Sequence, residues 1–435
     1  MAFVLFLLVN VVLYTRPMEV VPELQGVPVY NYLVLVCLAC AIPAVLEQFM
    51  SGALRGRPVT VCVLGLQAAA VLSHVSHLDF DKAGEWGYVF FTILVYYLLV
   101  VATVDTPARL RTFLLCLTLS ILVLTVLALF QYHGVIEFNK VRSIDEKIGD
   151  AAAGTDYVVK RLVGPGVVFA DPNDICAVFV VGVLLSLYWL TDVRPGFLRL
   201  LWVGPLGVFA YGMAMTYSRG GFLALLAGLV VMFQARDGGR RGLLVGALAL
   251  PVLFLAFAGR ATSLSATEGT GQQRIQIWSH ALMTLRTAPA FGIGMGGFGQ
   301  GDEYAAHNSY VHCFAELGLF GGTLFLGAFY VAFRQVRALV GRPDVVPEAE
   351  LRRLGPFLLA LLAAYAASLL SLSRQFVPTT YTFLGLATAY VRVAAPGLRA
   401  PVLPFDGRLA RRLAFVSVGF LAASYVFVRV FTRWA

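Results

Sequence analysis

The stretch His307-Asn308-Ser309-Tyr310-Val311-His312-Cys313-Phe314-Ala315-Glu316-Leu317-Gly318-Leu319-Phe320-Gly321 leaves a polar, glycine-rich loop and enters an apolar run that continues to residue 333. A run of this length crosses a hydrocarbon core of about 30 Å as one helix. It therefore reads as the start of a membrane helix, with His307 and His312 set where water gives way to lipid. Titratable side chains are costly there unless a cavity or partner receives them, which makes both histidines candidates for chemistry.

Similar apolar runs recur on either side, at 2–15, 30–49, 58–77, 87–104, 112–133, 172–191, 200–217, 220–235, 242–259, 355–373 and 379–393, with a further one at 413–430. They predict an all-α polytopic membrane protein with about 12, alternatively 13, transmembrane helices, forming one integral membrane domain over residues 1–435. Composition agrees: 59% of the residues are hydrophobic and 13% charged, with a mean hydropathy of +0.80, against roughly 45–50% apolar and about 25% charged in a soluble domain. The runs are too continuous for the alternating strands of a transmembrane barrel. The first has neither a basic leader nor a small-residue cleavage site and reads as a retained helix.

The net charge of +9 does not point to nucleic acid, because the basic residues are spread over short loops and form no patch interleaved with aromatics. Alternate loops carry Arg55 and Arg57, Arg109 and Arg111, Arg194 and Arg199, the Arg236 to Arg241 group, Arg334 to Arg353, and Arg392 to Arg412. Translocation disfavours short basic loops, so these are expected on the cytoplasmic side. The other face then holds two long segments, 134–171 and 260–306, and the tight turn Tyr217-Ser218-Arg219-Gly220. All six cysteines fall in or beside apolar runs, and Cys37 with Cys40 reads as packing.

The first long segment ends in Asp171-Pro172-Asn173, an N-cap followed by proline at the first helical position. The second becomes helical near Gln272-Gln273-Arg274-Ile275-Gln276-Ile277-Trp278, where Ile275, Trp278 and Leu282 share a face as in a helix lying on a membrane surface. It then passes into the glycine-rich 291–301 and so to the 307–333 helix that carries His307.

This topology puts Arg161, Arg219, Arg274 and His307 on one side of the membrane. Arginine grips phosphate oxygens with two parallel donors and stays charged at any working pH, so these residues suit a phosphate or pyrophosphate ligand. Each also has a plainer reading: Arg219 as a helix-end anchor, Arg161 and Arg274 as solvated or lipid-facing charges. An imidazole titrates near physiological pH, which suits His307 to proton transfer, with His312 second. Lys160, Arg260 and Arg286 read as interfacial anchors, as do His74, His77, His133 and His280. Glu316, inside an apolar run, requires a partner that the sequence does not name. Asp79-Phe80-Asp81 is an isolated D-x-D, and no metal-binding constellation, phosphate-binding Walker loop or nucleophile elbow is present in the sequence.

The pattern H-N-x9-G-x-x-G at His307, Asn308, Gly318 and Gly321 resembles that of the O-antigen ligases, in a superfamily that also holds O-antigen polymerases and bacterial protein O-oligosaccharyltransferases. Thr216 to Gly220 resembles the superfamily's S-R-G element, Arg161 and Gly164 with Pro172-Asn173 its R-x-x-G and P-N element, and Arg274, Trp278, Gly292 and Gly294 its R-x-x-x-W and G-x-G element. The resemblance implies a GT-C-type glycosyltransferase of the bacterial inner membrane, acting as a monomer at the periplasmic face. It implies an undecaprenyl-pyrophosphate-linked O-antigen donor, a lipid A-core acceptor, and inverting transfer with no cofactor and no metal. His307 would be the base, Arg161, Arg219 and Arg274 the pyrophosphate ligands, and Asn308, Tyr217, Ser218, Lys160, Asn173, Trp278 and His312 further substrate contacts. A polymerase or a protein-directed transferase would share donor and chemistry. A lipid-linked glycan transporter would bind the same anion without reacting it, and predicts two repeated halves that the sequence does not display.

Overall fold

The computed structural model describes residues 1–50, 54–136, 143–148, 157–166, 168–192, 194, 196–238, 244, 270–299, 305–396 and 402–432. The apolar span at 242–259, apart from Leu244, lies outside the described residues, as do Lys140, Arg142, Arg240, Arg241, Arg260, Arg399 and residues 300–304.

Thirteen helices are named here: α1 (Ala2–Thr15), α2 (Val29–Leu46), α3 (Pro58–Val75), α4 (Phe80–Thr103), α5 (Pro107–Tyr132), α6 (Pro172–Leu190), α7 (Val203–Thr216), α8 (Arg219–Asp237), α9 (Thr270–Thr287), α10 (Ser309–Val340), α11 (Ala349–Ser368), α12 (Pro378–Ala394) and α13 (Gly407–Phe431). The protein is an all-α polytopic membrane protein. Among the described residues ten helical stretches are long and apolar enough to cross a membrane. α12 is one residue short of that length at 17 residues, and α11 opens with Glu350, Arg352 and Arg353. The expected surface-lying segment at 272–282 is part of α9, which is not among the ten.

The helix starts follow local chemistry. Asp171 accepts the Asn173 N–H at 2.6 Å and Pro172 occupies the first helical position of α6, where no N–H is needed. Thr106, Ser218, Asn308 and Asp406 cap α5, α8, α10 and α13 through their side-chain oxygens in the same way.

Two compact units are built from discontinuous parts of the chain. The first contains α1, most of α2, α5 to α8 and α11. Its centre is α6, buried from Ile175 to Ser186 without interruption and packed against α5, α7, α8 and α11. The second contains α3, α4, α9, α10, α12 and α13, and its centre is α10, which packs on α3, α9, α12 and α13. Large apolar side chains such as Leu35, Leu119, Phe415 and Val430 are exposed on helices that read as lipid-facing.

One feature departs from the all-helical expectation. In the 134–171 segment Ser143–Ile148 (β1) pairs antiparallel with Tyr157–Leu162 (β2), with Ile144 opposite Arg161 and Asp145 opposite Lys160. The adjacent β-branched residues Val158 and Val159 favour an extended backbone.

Candidate active site

In the first unit the hairpin end, the start of α6 and the α7–α8 turn lie together. Arg161, on β2, donates from Nε to the Thr216 carbonyl at 2.9 Å, from Nη1 to Glu146 Oε2 at 2.8 Å and from Nη2 to Asn173 Oδ1 at 3.1 Å. Ser218 donates its hydroxyl to the same Asn173 oxygen at 2.7 Å while capping α8. Three separate stretches of sequence are therefore tied by one guanidinium. Tyr217 makes the turn possible by taking a left-handed backbone, φ 50, directly before Arg219 opens α8. Lys160 is exposed, and its carbonyl accepts the Tyr132 hydroxyl at 3.2 Å.

In the second unit the loop before α10 is held from three directions. Trp278, on α9, donates Nε1–H to the Ala306 carbonyl at 2.7 Å, one residue before His307. Of the Ile275, Trp278 and Leu282 face of α9, Trp278 packs on a cluster of Ala281, Phe298, Ala306, Val311 and Ala315 beside Ile277 and Phe420, and Ile275 is buried. The helix lies against α10 and α13. Arg274 is half-buried on the same helix.

The glycine-rich segment docks backbone to backbone on α10. Ile293 and Gly294 donate to the Ala315 and Glu316 carbonyls, and Leu319 and Phe320 donate back to Pro289 and Ala290. This is possible because α10 breaks at Gly318, φ 64 and ψ −165, which frees those groups from the helical ladder. Gly292 and Gly294 lie so close that added Cβ atoms would sit 2.3 Å from the Glu316 backbone and 2.6 Å from the His74 ring. Both elements of the G-x-G pattern thus mark close approach.

His307 is half-buried with a left-handed φ of 47, and its N–H donates to Ser373 Oγ at 3.0 Å. Asn308 turns inward as the N-cap, accepting from the Tyr310 and Val311 N–H groups. A hydrogen-bonded chain runs behind them. Ser373 Oγ lies 3.3 Å from His312 Nδ1, His312 Nε2 lies 3.2 Å from Glu316 Oε1, and that oxygen accepts the Phe298 N–H at 3.1 Å. Glu316 therefore has the partners its burial required, while its second oxygen, Oε2, is buried without one. His312 is buried in this chain and stacked edge-on against Phe298, so it supports the turn that presents His307.

Two residues expected at the interface belong to this assembly. His74 Nε2 pairs with the Met295 carbonyl at 3.0 Å and His77 Nε2 with the Gly292 carbonyl at 2.8 Å. Ser73 accepts the Met295 N–H at 3.2 Å. No local motif betrays these contacts, which span more than 200 residues of sequence; only a polar cluster at the end of an apolar helix hints at them. Among the described residues no three His, Cys, Asp or Glu side chains gather as metal ligands.

A family model described as O-antigen ligase matches residues 204–326, from the start of α7 through the Ser218-Arg219-Gly220 turn and His307 to the kinked half of α10. Over that segment the chain is similar to the O-antigen ligase family. No curated protein matches it. The matched segment supports a likeness between this multi-pass membrane protein and glycosyl-transferring proteins of the ligase and polymerase type. Its boundaries contain Tyr217, Ser218, Arg219, Arg274, Trp278, His307, Asn308 and His312; Lys160, Arg161 and Asn173 lie before it.

Proposed function

We propose that the protein is a ligase that moves a glycan from undecaprenyl pyrophosphate to a terminal sugar hydroxyl of lipid A-core, at the periplasmic face of a bacterial inner membrane. His307 takes the hydroxyl proton as that oxygen attacks the anomeric carbon, and the bond from this carbon to the pyrophosphate oxygen breaks with inversion. Undecaprenyl pyrophosphate leaves with the electron pair. Arg161, Arg219 and Arg274 bind the diphosphate and stabilise its growing charge, the task a divalent cation performs in other transferases. A positioned base contributes about 10²–10⁴-fold in rate.

The observation that carries this reading is His307 itself. It lies in the matched segment, half-buried at the mouth of α10, with its backbone pinned by Ser373 and the preceding carbonyl held by Trp278. Its backbone is thereby fixed beside the N-terminus of α10. Arg161 already engages Glu146, so donor binding would exchange that carboxylate for a phosphate oxygen.

The polymerase reading uses the same residues with a second lipid-linked glycan as acceptor. Purified protein given labelled donor and either lipid A-core or a second lipid-linked glycan separates the two, with EDTA present throughout. Label moving to lipid A-core supports the ligase. Label in lengthened lipid-linked chains supports the polymerase, and loss of all transfer on chelation refutes the arginine-for-metal role.

A further inference from the structure

At the end of the second unit remote from His307 there is another polar opening. Arg57 precedes α3, Val101 lies in the last turn of α4, Gln335 lies near the end of α10, and Thr388 and Arg392 lie in the last turns of α12; together they line a cavity of about 320 Å³. α3 alone, 18 residues long, separates this opening from the His74 contact with the glycine loop by roughly 25 Å at 1.5 Å per residue. It is therefore a different site from the one that holds His307.

Among the described residues the lining is cationic, with two guanidinium groups and no carboxylate. Arg57 Nη1 is buried and has no hydrogen-bond partner among the described residues. Gln335 is only 3% exposed and also lines the cavity. Behind it Thr60, Tyr97 and Thr388 form a fixed hydroxyl chain, with links of 2.9 and 3.0 Å. Buried donors without partners are rare in folded proteins, because each gives up its water for nothing. Here the unmatched Arg57 donor belongs to the lining of a space at the lower end of ligand-pocket sizes.

Topology alone accounts for arginines on a cytoplasmic face, but not for an orphaned guanidinium nitrogen beside a buried glutamine around one cavity. We propose that this cavity binds a phosphate-bearing anion, the guanidinium groups of Arg57 and Arg392 gripping its oxygens and the Gln335 amide donating a further hydrogen bond. The anion is either the phosphodiester headgroup of an acidic lipid or a soluble phosphate, which present the same oxygens to the same donors.

The test uses the full-length protein in neutral detergent and in lipid nanodiscs. Calorimetry measures inorganic phosphate binding against chloride at equal ionic strength. Native mass spectrometry counts lipids retained from nanodiscs of phosphatidylglycerol or of phosphatidylcholine. The wild-type chain should bind one phosphate, or retain one phosphatidylglycerol in preference to phosphatidylcholine. The double variant Arg57→Gln with Arg392→Gln should weaken that binding by about tenfold or more. Gln335→Glu, which keeps side-chain size and both arginines but adds a repelling charge, should do the same and remains informative if the double variant does not fold. Phosphate binding alone assigns a soluble ligand, and lipid retention alone assigns a headgroup. Saturable binding in neither arm, or equal binding by wild type and variants, overturns the proposal.

Discussion

Replacing Gly318 by alanine tests whether the break in α10 is what seats the glycine loop beneath His307. Gly318 has φ 64 and ψ −165, a region essentially closed to residues with a Cβ. The backbone strain costs about 1–3 kcal/mol. The added carbon would lie 2.5 Å from the Ala290 carbonyl and the Gly292 nitrogen, so the loop has to move away. Moving it endangers four backbone hydrogen bonds of 2.8–3.1 Å, from Ile293, Gly294, Leu319 and Phe320, each worth about 1 kcal/mol net. With half of them lost, the total is about 4 kcal/mol, a fall in unfolding midpoint of roughly 10 °C for a unit of this size. The assay is thermal unfolding of the purified protein in detergent, paired with glycan transfer. Gly84→Ala is the control: it is exposed on α4 with nothing within 4 Å of an added Cβ, and should leave stability unchanged or raise it by up to about 1 kcal/mol. If Gly318→Ala melts with the wild type and transfers glycan at the same rate, the account of the loop is wrong.

Ser373→Ala removes the acceptor of the His307 N–H and the neighbour of His312 Nδ1; it should slow transfer about tenfold with donor affinity unchanged, read as kcat against KM. A fall in stability with full transfer per folded molecule would reduce Ser373 to a packing role. On the basic side of the first unit, Asp192 faces Arg111, Arg194 and Arg353. Burial alone would raise its carboxyl, but hydrogen bonds from Arg194 and Arg111 hold it well below the usual range; burial also opposes the lowering of Glu350, which Tyr188 and Arg353 bring about. Carboxylates depressed in the folded state stabilise it above their unfolded values, near about 4, and lose that contribution as pH falls toward the folded ones. The unfolding midpoint should be flat near neutrality and drop below about pH 4, and Asp192→Asn should lower it at pH 7 while narrowing the gap in acid. A gap that persists unchanged at pH 3 contradicts that assignment.

The helices were legible because each is an apolar run long enough to need no tertiary help, and Asp171 and Asn308 announce their helix starts through capping chemistry that is local. The Arg161, Asn173 and Ser218 elements were legible only through family resemblance; what joins them is a set of hydrogen bonds between residues far apart in sequence. The β1–β2 hairpin was missed because its two short strands sit in a polar segment whose pairing depends on register rather than periodicity. The break at Gly318 is hidden inside an apolar stretch that reads as continuous. His74 and His77 read as interfacial for a similar reason: their partners, like that of Ser73, are main-chain groups, which leave no trace in side-chain pattern. α9 has the amphipathic stripe of a membrane-surface helix, and a stripe of that kind does not distinguish a lipid face from one packed on α10 and α13.

The most direct measurement is the turnover of His307→Gln with saturating lipid-pyrophosphate glycan and lipid A-core, on protein whose unfolding midpoint matches the wild type. The account predicts a fall of about 10²–10⁴-fold in kcat with donor affinity retained. Turnover equal to the wild type would show that the proton leaves the acceptor by another group and would remove His307 from the reaction.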